Sequence, residues 1–182
     1  PCVDVVMPEA DPVIGDRSYG ADPTRVAELA VARIRGLQSH GVAACAKHFP
    51  GLGAVPRDPH SILPTISLDW DTMQRVHLAP FQAAITAGVA TVMSSHVCYP
   101  MLGDPPGLPA TCSPRLIREL LRRQLCFQGP ILSDALEMGA LSAVGTIGEA
   151  AVQATAAGHD LLLICSDLTT ARHVHAQLTT AY

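Results

Sequence analysis

The chain has 182 residues, a net charge of −4 with histidine neutral, 48% apolar residues and 15% charged ones. That length supports one domain with a sizeable core. The slightly acidic balance argues against a nucleic-acid binder, which would present a basic stripe, and no apolar stretch is long enough to span a membrane.

Residues 3–7 read as a first strand. Residues 26–37 follow as a helix, with Asp22 as its N-cap and Pro23 at the first helical position. Residues 42–46 are an apolar strand-like run. Residues 72–87 are helical and stop at Gly88. Residues 89–95 are strand-like again, and Ser113-Pro114 opens a helix that runs to residue 125. Residues 130–133 form a short strand, residues 147–157 a helix that stops at Gly158, and residues 161–165 another strand. From residue 169 the pattern is helical.

Five strands, each followed by a helix, imply an α/β fold with a parallel sheet. The loops after the strands are long and hold the unusual residues, whereas those after the helices are short. A (β/α)8 TIM-type barrel has this asymmetry, and so does a doubly wound sheet. No G-x-G-x-x-G follows the first strand and there is no Walker lysine, which weakens the nucleotide-binding folds. A barrel of eight units would need about three more than the five read here. The chain also opens inside a strand-like run and closes inside a helical one, so residues 1–182 are expected to be an incomplete barrel from a longer protein. The basic cluster Arg115, Arg118, Arg122 and Arg123 reads as a solvated helix side. The six cysteines show no CxxC pair, which fits a reducing cytoplasm.

Four strand ends carry reactive groups. The first leads to Asp4 and then to Asp16-Arg17-Ser18-Tyr19-Gly20. The second gives Lys47 and His48, with Asp58 and His60 beyond. The third gives Ser94-Ser95-His96, and the fourth Ser133-Asp134. In a closed barrel these ends converge on one mouth. A carboxylate just past a buried strand is costly unless paired or used, so Asp134 reads either as a nucleophile or base or as the N-cap of a following helix. Asp58 and His60 lie two apart, and in an extended segment both side chains share a side. Pro59 favours that extended geometry, letting Asp58 orient the imidazole. Lys47 reads as a Schiff-base lysine, a substrate-binding cation or a surface residue. His48 reads as a hydrogen-bond partner of substrate, because no spaced set of histidines and carboxylates completes a metal site. No cofactor is expected. His96 reads as structural, and His40, His77, His159, His173 and His175 look bland.

The run from Lys47 to His60 fits K-H-F-P-G-x-G-x-x-x-x-D-x-H. With residues 14–23, 93–97, 132–138 and 158–164 it resembles glycoside hydrolase family 3, in its β-N-acetylglucosaminidase branch of cell-wall recycling. The resemblance implies a TIM-type barrel that removes terminal β-N-acetylglucosamine with retention of configuration. The implied substrate is a small N-acetylglucosaminyl-anhydromuramyl carbohydrate. It further implies Asp134 as nucleophile, His60 as acid/base with Asp58 as dyad partner, and Arg17, Lys47 and His48 as sugar-binding residues. A phosphorylase of the same family and a non-catalytic fragment are the competing readings. Two positions depart from the pattern. Leu52 stands where the family usually has histidine and removes a polar group near the dyad loop. Pro59 stands where it usually has serine and stiffens that loop.

Overall fold

A computed structural model describes all 182 residues. Four strands form one parallel sheet: β1 (Cys45–Phe49), β2 (Thr91–Ser94), β3 (Ile131–Ala135) and β4 (Leu161–Leu163), in the order β1-β2-β3-β4. Neighbours in sequence are neighbours in the sheet, and helices cross between them. That is the winding of a TIM-type barrel rather than a doubly wound sheet, whose strand order reverses.

The helices follow their sequence signals. Helix α1 (Pro23–Gln38) starts at Asp22, whose side chain accepts from the amides of Thr24 and Arg25, a cap worth about 1 kcal/mol. Helix α2 spans 70–86, starting from Asp69 and widening into π turns over Met73–Leu78. Helix α3 (Arg115–Gln124) is wound with π hydrogen bonding throughout. Helix α4 (Ile147–Ala157) opens on a Thr146/Glu149 capping box and closes on Gly158 in the left-handed region. Helix α5 (Leu168–Ala181) starts at Asp167. Helices α1 and α2 pack together over the sheet. Phe49 meets Phe81 edge to face at 5.2 Å inside the main core.

Two strand expectations shift. The second strand occupies Cys45–Phe49 rather than 42–46, because Val42 is solvent-exposed and pairing with β2 begins at Cys45↔Thr91. Lys47 and His48 therefore lie inside the strand, not after it. The first strand shrinks to a bridge between Cys2 and Lys47, flanked by hydrogen bonds from Val3 N to Lys47 O and from Lys47 N to Pro1 O. The ladder stops there because the next β1 donor, the His48 amide, turns to the Asp4 carboxylate instead of a backbone carbonyl.

The arginine cluster on α3 is also more than a solvated side. Arg118 donates to the carbonyls of Ala156 and Ala157 at the end of α4. Arg122 pairs with Asp160 at 2.6 Å. Both tie α3 to the turn that leads into β4.

Candidate active site

Two of the three strand pairings slip. The β1–β2 register shifts between Lys47 and Phe49, at His48, and the β3–β4 register shifts between Leu132 and Ala135, across Ser133-Asp134. Such irregularities bend a strand and re-aim a side chain. Here they bring the His48 imidazole to Asp134, with Nε2 3.8 Å from Oδ2. The peptide bonds Lys47–His48 and Phe49–Pro50 are both cis.

Behind His48 sits a residue whose role the sequence concealed. Asp4 is fully buried, and its carboxylate accepts from four groups: the His48 amide at 3.2 Å, His48 Nδ1 at 2.8 Å, the Leu52 amide at 2.6 Å and the Cys2 thiol at 3.0 Å. Burial alone would raise this carboxyl, but the adjoining imidazole and the converging donors hold it below its ordinary value. Asp4 thereby fixes which nitrogen of His48 carries a proton, and turns Nε2 toward Asp134. Asp134 spends Oδ1 on the Ala135 amide at 2.8 Å and leaves Oδ2 without a protein donor. No helix starts at Ala135, so the N-cap reading of Asp134 does not hold.

Asp58 and His60 do pair, with His60 Nδ1 2.6 Å from Asp58 Oδ1. The route differs from the expected extended segment. Ser61 N donates to Asp58 O, closing a turn with Asp58 first and Pro59 second, and the same carboxylate oxygen accepts the His60 amide at 2.8 Å. Asp and Pro at these places are a turn signature. The His60 amide holds the Asp58 carboxyl below its usual value. Pro59 is buried, and its carbonyl accepts the Ala140 amide, while that of His60 accepts the Gly139 amide at 3.0 Å. A side chain at Gly139 would sit 2.7 Å from the His60 carbonyl, so glycine lets the dyad turn dock on the loop leaving β3. The approach is closer still where Gly53 passes the Val5 carbonyl.

The remaining predicted residues divide. Lys47 is half-buried, is the chain's single lysine, and joins none of its ion pairs. Arg17 is exposed and folds back on its own turn, donating to the carbonyls of Val13 and Ile14. Leu52 is buried in the main core, and its amide rather than its side chain serves the site. His96 is buried and donates to the Ala135 carbonyl at 2.9 Å, while His159 is buried against Ser94 at 2.8 Å. His96, expected to be structural, has both ring nitrogens partnered, and His159 is not bland; the Ala135 and Ser94 partners lie 39 and 65 residues away, beyond any local pattern. For Asp4 the signal was a carboxylate inside the apolar run Val3-Asp4-Val5.

One group of metal-ligating side chains forms, from Cys2, Asp4 and His48, with ligand atoms within 4.8 Å of one another. It is wired as a hydrogen-bond network. The Cys2 thiol donates to Asp4, and burial pushes it above its ordinary value, away from the thiolate a metal needs.

The sequence pattern of the glycosyl hydrolase family 3 N-terminal domain matches residues 1–181. The chain belongs to glycosyl hydrolase family 3. A β-hexosaminidase of Nitrosomonas eutropha is 42% identical over 159 residues, covering 87% of this chain and 45% of that protein. The structure of a family 3 β-N-acetylglucosaminidase from Paenibacillus sp. str. FPU-7 superposes with a TM-score of 0.96 at 42% identity, over 100% of this chain and 34% of that one. NagZ from Neisseria gonorrhoeae, solved in complex with N-trifluoroacetyl-D-glucosamine, superposes with a TM-score of 0.84 at 36% identity, over 99% and 49%. The chain thus spans less than half the length of the curated family 3 relatives it matches. Its α/β fold is the family's TIM-type barrel, incomplete in these residues.

Proposed function

We propose that the protein carrying this chain is a retaining β-N-acetylglucosaminidase acting on terminal residues of cell-wall fragments. The observation that carries the reading is the meeting of His48 and Asp134 at two slipped strand registers, with Asp134 Oδ2 left open. In this mechanism Asp134 attacks the anomeric carbon and forms a glycosyl-enzyme. His60 gives its proton to the leaving oxygen as that bond breaks. It then takes a proton from water, which releases the sugar and Asp134. Asp58 steadies the protonated imidazole, and its 2.6 Å contact supports that role. The Lys47 ammonium, which joins no ion pair, and His48 bind sugar hydroxyls. Arg17 joins them once its guanidinium leaves the Val13 and Ile14 carbonyls.

The test is hydrolysis of an aryl β-N-acetylglucosaminide by the complete protein. Asp134→Ala should lower kcat by about 10⁴-fold or more, and His60→Ala by about 10²- to 10⁴-fold. Full activity in the Asp134 variant would remove the nucleophile assignment. A sugar 1-phosphate formed in phosphate buffer would make the protein a phosphorylase instead.

A further inference from the structure

The segment Ser94-Ser95-His96 leaves β2 between the two catalytic strands, and nothing in the proposed mechanism uses it. Its side chains reach both ways. Ser95 Oγ lies 3.1 Å from the Tyr99 hydroxyl, which donates to the Gly51 carbonyl in the loop after His48. His96 Nε2 lies 2.9 Å from the Ala135 carbonyl, next to Asp134. Ala135 is therefore gripped twice, its amide by Asp134 Oδ1 at 2.8 Å and its carbonyl by His96.

The protons in this cluster can be assigned. Burial pushes His96 below its ordinary value and His159 down to about 4, so both are neutral at pH 7. Carbonyls only accept, so His96 is protonated on Nε2, against Ala135, and His159 on Nδ1, against the Ala154 carbonyl at 3.1 Å. Ser94 then donates to His159 Nε2 at 2.8 Å, and Thr111 donates to His96 Nδ1 at 2.6 Å. The Ser95 carbonyl, 2.9 Å from the same Thr111 hydroxyl, gives way, because that hydroxyl has one hydrogen. The His96 ring is thus anchored on one edge and presents one directed donor on the other.

We propose that His96 is a positioning residue for Asp134, its Nε2–H locking the Ala135 carbonyl and so fixing the aim of the carboxylate within the slipped register. This rests on the nucleophile role proposed for Asp134. A displaced reacting group costs rate rather than affinity.

Three variants of the complete protein test it. His96→Gln carries an amide donor near the Nε2 position and keeps the bond to Ala135. His96→Asn carries one near Nδ1 and loses that bond, and His96→Phe loses both. On an aryl β-N-acetylglucosaminide the Gln variant should stay within about threefold of wild type, while Asn and Phe lose about 10²-fold in kcat at unchanged KM. Amide hydrogen exchange over residues 133–137 should quicken in the Asn and Phe variants and not in Gln. Equal losses in Gln and Asn, a change confined to KM, or equal exchange would each overturn the positioning role. Exchange reads the lock whether or not the protein hydrolyses the substrate, so an inactive wild type would count against the hydrolase reading alone. Should the Asn and Phe variants fail to fold, Thr111→Val releases the ring from its anchor. It should lower kcat about tenfold, and an unchanged kcat there would also overturn the proposal.

Discussion

The site contains two imidazole–carboxylate pairs of nearly equal length, set in opposite surroundings. His48 and Asp4 meet at 2.8 Å with side chains 4% and 0% exposed. His60 and Asp58 meet at 2.6 Å with side chains 62% and 43% exposed. In the buried pair, desolvation opposes the charge, and only converging donors make it tolerable. That pair is therefore wiring, and it holds its shape because every alternative leaves buried groups without partners. In the exposed pair, water screens the charges and solvates whichever form is present. Such a pair can exchange a proton at little cost to the fold. The same contact serves orientation in one setting and proton transfer in the other.

Breaking the buried side should give the largest effect. Asp4→Ala strands the His48 and Leu52 amides without their acceptor, and should cost about 3–5 kcal/mol by urea unfolding. A loss under about 1 kcal/mol would show that the wiring is dispensable.

Acid should sharpen the contrast next. His159 is 7% exposed and its folded value is lowered to about 4, whereas an unfolded histidine titrates near 6.5. Below about pH 6.5 the unfolded chain binds a proton that the folded chain refuses. The stabilisation is complete above that pH and drains away as pH falls toward about 4, by roughly 3 kcal/mol in all. His159→Asn should flatten the stability-versus-pH curve in that window. An unaltered slope would assign the acid sensitivity elsewhere.

The smallest effect belongs to the exposed dyad. His60→Ala should shift unfolding free energy by less than about 0.5 kcal/mol, while removing most of the turnover. A variant that lost both together would erase the distinction between the pairs.

Local signals are legible in the sequence and distant ones are not. Helix α4 coincides with the expected span because its start and stop are both local, Thr146/Glu149 at one end and Gly158 at the other. The dyad pairing was legible from spacing, but its backbone was not. Asp58-Pro59 favours an extended segment because proline restrains its predecessor, although the same dipeptide opens turns. The hydrogen bonds of Asp4 to His48 and Leu52 cross 44 and 48 residues, and that between Ser94 and His159 crosses 65. Only the assembled sheet brings such residues together, and no periodicity encodes them. The retreat of the first strand to one bridge has the same origin, since the acceptor that ends its ladder is a side chain.

The slipped registers at His48 and Asp134 also bear on how this site can change by mutation. Their aim depends on how many residues each strand carries between its ladder contacts, and only secondarily on which residues those are. Single-base substitutions leave that count untouched. Loss of one codon within either stretch would restore the regular ladder and remove the bend that aims His48 or Asp134. The two register slips are thus untouched by substitution, and it is a deletion, the rarer genetic change, that would erase them.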